Sequence, residues 1–591
     1  MRRSTGVRLV AVSGLLALAA TACGGSSTGG GTKTDDGKTG SGDSALSFSV
    51  DNDAKGPAYD VPGHTTGGTV HLLEDVDFSH LDPARIYVNN LQNVGLMIHR
   101  QLTSYIEKDG KITLVGDLAT NTGETSDGGK TWTFTLRDNV KFQDGSDIKA
   151  SDIKYGVERG FDAAYTEGPS YLYEWIAGKS GNFRDFYEGP YKGKSLPDTS
   201  VKADDAAKTI TFFFDQPRPD MPFAGGLMTT VPVQKAKDTK EKYDTNPQST
   251  GPYMISEHHI DKDMTLVKNP AWDADSDPLR HQYVDTFAFE FGSEALVLNK
   301  RLIAANGEDA SAMSLSTLAL PEVLKQINET PEVKARTLVG NTAFVLVTNI
   351  NNTRITDVEI RKALLYAYPT FQHRQIAGGE SVGDFASTVM SPTVPGYEAF
   401  DLYGQKDHPQ GQPEKAMEIL KAKGKVGMQV VYGYSNTPTG QQVAVAVKAG
   451  LEKGGFKVVA KPIDRKNFYD VIGKVNNTYD LYGGGWGADW PSGSTVIPPT
   501  MDGRKIADGN PNYQHFNDPD INKEMDRISL ETDLVQASKD WAALDKKIME
   551  KVPFIPRIYD RATQVYGPKV GGVYLSKVLG EPSMNGVYLK K

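Results

Sequence analysis

The chain has 591 residues, of which 38% are hydrophobic and 24% charged; that length calls for several domains or one large fold with insertions, with ample apolar material for a core. A mean hydropathy of -0.42 and a single long apolar run exclude a multi-span membrane protein. The 65 basic and 74 acidic residues give a net charge of -9 with no Lys/Arg-rich block to neutralise a phosphate backbone, so nucleic acid is not an expected partner.

The N-terminus carries Arg2, Arg3 and Arg8, then an apolar run from Leu9 to Ala20, then small residues: a secretory signal rather than a spanning helix. The sole cysteine, Cys23, follows Ala20, Thr21 and Ala22 in a pattern that resembles the lipobox of bacterial lipoproteins, with Ala20 where leucine is usual. The resemblance implies acyl chains on Cys23, each buried CH₂ adding about 0.8 kcal/mol of membrane affinity. The alternative is a stray cysteine in an ordinary signal; either way one cysteine allows no intramolecular disulfide. Residues 1–22 are therefore expected to be a signal peptide and 23–65 a flexible linker, since Gly24 to Asp43 is glycine, serine, threonine and charge that cannot bury enough apolar area to order itself.

Folded sequence is expected from near Gly67, where "GGTVHLLE" starts a strand. Between Ser126 and Gly145, Trp132, Phe134 and Leu136 alternate with polar residues, the period of a half-buried strand in a hairpin, and Ser151 then caps a helix with Ile153 and Val157 on one face. Thr356 and Glu359 stand at capping-box spacing before Ile360, Ala363, Leu364 and Ala367. Pro413 opens and Gly424 closes another helix, followed by the strand "GMQVVYGY", a helix from about Gln441 to Lys453 and the strand "FKVVAKPI". Strand, helix, strand implies a parallel unit, and hence an α/β lobe with its ligand crevice at strand ends.

Motifs for chemistry fail on their spacing. "DGKT" at Asp36 and "GGKT" at Gly128 lack the earlier glycine of a phosphate loop, holding Thr32 and Glu124 instead. "DADSDP" from Asp273 imitates a calcium loop but has Pro278 where glycine is needed and Val284 where glutamate is needed, and reads as an acidic turn. His258 and His259 are adjacent, so on a strand they face opposite sides and are expected to be exposed rather than to share a metal. No HExxH, paired CxxC or GxSxG is present, and neither a metal nor a cofactor is expected.

Several stretches together resemble, in order, the peptide-binding branch (family 5) of the extracellular solute-binding proteins that feed ABC importers. They are "HLDPAR" (His80), "GGKTWTFTLRDNVKFQDGSDIKASDIKYGVER" (Gly128), "STGPYMI" (Ser249), "LVKNPAWD" (Leu266), "NINNTRITDVEIRKALLYA" (Asn349), "YDLYGGGWGADWPSG" (Tyr479) and "VPFIPRIY" (Val552). The resemblance implies a two-lobed, periplasmic-binding-protein-like α/β fold with a hinge of crossing strands and an extra domain inserted in the N-terminal lobe. The boundaries expected are 66–102, 214–292 and 561–591 for the first lobe, 103–213 for the inserted domain and 293–560 for the second lobe. It also implies that Asp489, in "GWGADW", pairs with the α-ammonium of a bound peptide, with Gly485 beside it and Trp486 and Trp490 as flat apolar walls. Tyr432, Tyr434 and Asn436, after a strand of the second lobe, are further cleft candidates. Two departures stand out: Ser492 and Gly493 replace the usual "DP", and Gly483 occupies the position where some members carry an arginine for the ligand's carboxylate. Asp489 has an alternative role as the cap of the turn begun by "WPSGST".

The expected protein is thus a monomeric, non-enzymatic receptor for short peptides, exported and anchored to the outer face of the cytoplasmic membrane through Cys23, serving the permease subunits of an ABC importer. The alternatives are a receptor of the same family for nickel or another solute, and an exported lipoprotein hydrolase.

Overall fold

The computed structural model describes residues 47–165, 168–178, 183–465 and 467–591; the expected signal peptide, Cys23 and the glycine-rich stretch after it lie outside them. A five-stranded sheet runs in the order Ala312–Met313, Thr69–Leu73, Thr286–Glu290, Asp263–Lys268, Tyr253–His259. Val70, Leu72, Phe287 and Phe289 point into one core, which Val570, Met584 and Val587 from the C-terminus complete. Ala312–Met313 pairs in parallel with Thr69–Leu73, so this part of the segment expected in the second lobe belongs to the first. The reason is apolar: Leu298, Leu302, Val323 and Ile327 share a core with Leu73 and Val565.

A second correction concerns the linker. Ser47–Asp51 is a strand, parallel to Lys111–Gly116, in a stretch assigned to flexible chain. Its composition is polar, and tertiary contacts order it: the Phe48 ring lies 5.5 Å from that of Phe223, and the Ser49 and Thr113 hydroxyls are 3.0 Å apart. Farther along, Arg137 donates to the Ala54 carbonyl at 2.7 Å.

Thr131–Thr135 forms the half-buried strand that its alternation predicts, but its main partner is the distant Thr209–Phe213 rather than a neighbour in a hairpin. This three-stranded sheet has its own core, with Phe134, Ile210 and Phe212 packed on Ile153 and Val157 of helix Ala150–Arg159. The helix starts two residues earlier than expected, capped at Lys149 rather than Ser151: the Asp152 carboxylate accepts from the Lys149 backbone N–H at 3.0 Å, while the Ser151 hydroxyl bonds Asp205. His258 is not exposed as expected; its Nε2 lies 3.0 Å from Asp77, and only His259 faces solvent.

The second lobe is built on a six-stranded sheet in the order Gly383–Phe385, Phe554–Val565, Thr337–Ile350, Leu481–Trp486, Gln429–Ser435, Lys457–Ile463. The expected parallel unit is here, Val430 opposite Val458, with helix Pro438–Lys453 burying Val443, Val447 and Leu451 between the strands. Thr337–Ile350 and Phe554–Val565 run antiparallel from Thr337 opposite Val565 to Asn349 opposite Phe554. At about 3.4 Å per residue the longer of them spans roughly 45 Å. Val565 at one end packs with Leu73 in the first lobe and Val347 near the other packs with Trp541 in the second, so these strands form the crossing between lobes.

Two acids in this framework tie stability to pH. Asp545 accepts from the Val389 and Met390 backbone N–H groups at 2.9 Å each, and burial pushes it up from 3.8 to about 7. Burial, then the nearby Glu74 charge, pushes Glu581 up from 4.5 to about 8. Both pKa values are raised on folding, so their contribution is fully present below about pH 4 and is lost as pH rises through about 7 to 8. The double variant Asp545→Asn, Glu581→Gln should gain stability relative to wild type as pH goes from 5 to 9 in urea titrations; a pH-independent difference would contradict this.

Candidate ligand-binding site

The strand Leu481–Trp486 pairs along its whole length with one neighbour, from Ile350 opposite Leu481 to Val345 opposite Trp486. On its other side Gln429–Ser435 pairs with it only at Leu481 and Tyr482. Gly483 to Trp486 therefore present a free strand edge among the described residues, onto which an extended chain can add by main-chain hydrogen bonds. The three glycines are not equivalent. A Cβ at Gly483 would meet nothing, one at Gly484 would collide with the Asn349 side-chain amide, and one at Gly485 would lie 2.7 Å from Leu346 Cδ2. Gly483→Ala should leave stability unchanged while Gly484→Ala lowers it by about 1–3 kcal/mol, read from urea unfolding. Equal effects would contradict the local geometry.

Past the strand, Asp489 sits half-buried where the lobes meet. Its Oδ1 accepts from the Tyr87 hydroxyl at 2.8 Å and its Oδ2 from the Tyr171 hydroxyl. Tyr87 precedes helix Asn89–Ile98 and Tyr171 opens helix Tyr171–Ala177, so both donors come from the N-terminal part of the chain. Burial and the Asp489 charge push both tyrosines well above their usual range, which keeps them protonated donors. Burial raises the Asp489 carboxyl, and the two hydroxyls partly offset that. Among the described residues no Lys, Arg or His pairs with it. A carboxylate has about four lone-pair sites, and two are filled.

The capping alternative for Asp489 does not hold. The turn after it is capped by Ser492, whose hydroxyl accepts from the Ser494 N–H at 3.2 Å. Asp489 takes part only through its backbone N–H, which donates to Thr495 Oγ1 at 3.2 Å.

The two tryptophans expected as ligand walls are engaged by protein. Trp490 is 3% exposed, stacked on Phe223 at 6.4 Å and meeting Tyr171 edge-on at 4.7 Å, with its Nε1 donating to Ser494 Oγ at 3.1 Å. It serves the seam between lobes. Trp486 donates from Nε1 to the Thr495 carbonyl at 2.7 Å and packs beside Val345 and Val347. Gly485 faces Leu346 rather than open space.

Beside the free edge, a cavity of about 440 Å³ opens between Gly483, Gly484, Tyr432, Tyr434, Tyr469 and Arg557. It lies at the C-terminal end of Gln429–Ser435, the kind of strand-end crevice the parallel unit implied. Tyr432 and Tyr434, both cleft candidates, line this cavity. Asn436 does not: it is exposed, its N–H bonds the Ile463 carbonyl at 2.8 Å and its Oδ1 accepts from Gln441 at 3.0 Å, because it leads into the next helix. Tyr87 and Tyr171 were missed, lying 402 and 318 residues from Asp489 with no local pattern to join them. Arg557 was missed as well, since "IPRIYD" does not show which way the side chain points.

Two α/β lobes joined by long crossing strands, with a free strand edge and an acid where the lobes meet, define a solute-binding protein. The chain belongs to the bacterial extracellular solute-binding proteins, family 5, whose model ("family 5 Middle") matches residues 113–508. It is 24% identical over 495 residues to the "Periplasmic murein peptide-binding protein MppA" of Escherichia coli (strain K12), covering 80% of this chain and 84% of that protein. It is 23% identical over 484 residues to the "Oligopeptide-binding protein OppA" of Bacillus subtilis (strain 168), covering 79% and 83%. Among solved structures, "Clavulanic acid biosynthesis oligopeptide binding protein 2" superposes with a TM-score of 0.81 at 27% identity, over 91% of this chain and 100% of the other. Among the described residues no helix is long and apolar enough to cross a membrane.

Proposed function

We propose that the protein captures short peptides outside the cell and delivers them to the permease of an ABC importer, with Asp489 holding the peptide's α-ammonium and the Gly483–Trp486 edge pairing with its backbone. One observation carries this reading: the Asp489 carboxylate is held by two neutral hydroxyls and has no cationic partner among the described residues, an arrangement that leaves a charge to be met by the ligand. Main-chain pairing tolerates many side chains, while a charge pair recognises a free amine. The printed names of the relatives, peptide-binding and oligopeptide-binding, support the same class. Lipid on Cys23 holds the monomer at the outer face of the cytoplasmic membrane, the inserted domain and two lobes move about the crossing strands, and no covalent chemistry is performed on the cargo.

Calorimetric titration with a pool of short peptides, followed by mass spectrometry of the bound fraction, tests this. Intact peptides retained at saturating stoichiometry are expected. Cleaved products, or tightening by Ni²⁺ with no response to any peptide, would overturn it.

A further inference from the structure

The strand Ser47–Asp51 lies at the edge of a three-stranded sheet, pairing with Lys111–Gly116, which in turn pairs with Thr103–Lys108. Five residues paired on one side make a short ladder, and such elements open locally at lower free energy than a core strand. Phe48 gives this strand a further contact. Its half-buried ring lies 5.5 Å from that of Phe223, which is stacked on Trp490 at 6.4 Å with the planes 8° apart. Trp490 meets Tyr171 edge-on at 4.7 Å, and the Tyr171 hydroxyl donates to Asp489. A row of rings therefore connects the edge strand to the acid where the lobes meet.

That row crosses between the lobes at the Phe223–Trp490 stack. Phe48 and Phe223 come from the N-terminal part of the chain, whereas Trp490 and Leu534, in the same cluster, come from the second lobe. Phe223 is thus held from its own side by Phe48 and by Tyr105, whose ring is 6.5 Å away, and meets Trp490 only when the lobes are together. The rest of the N-terminal segment takes no part in the seam. Asn52 Oδ1 accepts from the Thr122 hydroxyl at 2.6 Å, Arg137 donates to the Ala54 carbonyl at 2.7 Å, and the Val61 N–H donates to the Tyr283 hydroxyl at 3.1 Å. These partners all precede the second lobe in the chain, so they hold the segment whatever the lobes do.

We infer that docking of Ser47–Asp51 is coupled to closure of the lobes on a peptide, with Phe48 as a positioning residue that backs Phe223 against Trp490. The inference rests on the peptide reading above and adds a remote element that sets the affinity of the same site. Coupling between two such events is reciprocal: a strand that favours closure is itself held more tightly once a peptide has closed the lobes. One aromatic contact corresponds to about a two- to tenfold change in affinity.

Hydrogen exchange and calorimetry on the full chain, with one free-amine tetrapeptide of neutral side chains, test both directions. In the wild type, saturating peptide should slow exchange of the Ser47–Asp51 amides by about two- to tenfold and leave the Val61 amide, tied to Tyr283, unchanged. Phe48→Ala should weaken peptide binding by a similar factor and abolish the slowing, while Phe48→Tyr, which keeps the ring, should retain both. A purely structural role for Phe48 would lower the urea midpoint of Phe48→Ala and leave the peptide-dependent slowing in place, which would overturn the inference. Exchange of Ser47–Asp51 that is the same with and without bound peptide in the wild type, or full affinity in a folded Phe48→Ala, would also overturn it and leave the peptide reading standing. Failure of all peptides to bind would overturn both.

Discussion

Asp489→Asn should weaken the binding of a free-amine peptide a hundredfold or more. Breaking a buried ion pair costs about 3–5 kcal/mol and about 1.4 kcal/mol is a tenfold change in affinity, so the lower end already reaches that figure. The lower end applies because Asp489 is half-buried rather than fully enclosed. Asparagine retains an oxygen for Tyr87 or Tyr171, so the contact between lobes survives while the charge is lost. Acetylating the peptide's amine should cost the wild type a similar factor, and the two losses should not add, because each removes the same pair. The pH response follows from the raised carboxyl: protonated Asp489 cannot pair with an ammonium, so wild-type affinity rises with pH through its raised pKa and declines again as the α-amine deprotonates near about 7.7–8.0. The acidic limb of that profile should vanish in Asp489→Asn. Calorimetry between pH 4 and 9 checks both, and an unchanged acidic limb in the variant would contradict the assignment.

Trp490→Ala carries the second large effect. The indole fills a cluster with Leu114, Phe223 and Leu227 and touches Tyr171, a donor to Asp489. Truncating a buried tryptophan costs about 3–5 kcal/mol, part of it for the cavity left behind. Because the cluster joins residues from both lobes, the loss should appear twice, as a lower urea midpoint and as weaker peptide binding once Tyr171 loses its support. Trp490→Phe should recover most of both. Full affinity in Trp490→Ala would mean that Tyr171 is positioned independently of the seam.

The parts of this molecule that were legible in the sequence are those set by local rules. Pro413 and Gly424 bracket a helix that runs Pro413–Ala422, and the parallel unit from Gln429 to Ile463 follows from periodicity and chain order. Local signals erred by a residue where two caps compete: Asp357, not Thr356, is the cap of helix Val358–Ala367 and accepts from the Glu359 N–H at 2.9 Å. The acidic turn at Asp273 was read as such, but its Asp277 has a further use, pairing with Arg280 at 3.1 Å inside a fully buried network.

What the sequence could not show depends on long-range contacts. Asp489 was found through resemblance alone, and its two tyrosine donors belong to distant segments. The tryptophans of "GWGADW" look like exposed walls until Phe223, Tyr171 and Trp175 are brought against one of them. Ser47–Asp51 reads as linker because a short polar strand gains its order from the partner it pairs with. Arg557 gains its direction from a bulge, a feature of register between strands that composition does not encode.

The central claim is that the acid at the meeting of the lobes holds the positive end of a peptide. A crystal structure of the protein with a bound free-amine peptide tests it most directly. The account predicts the α-ammonium within hydrogen-bond distance of the Asp489 carboxylate, beside the Tyr87 and Tyr171 hydroxyls, and the peptide backbone paired with Gly483–Trp486. An ammonium placed elsewhere, with Asp489 still engaged only by the two tyrosines, would contradict it.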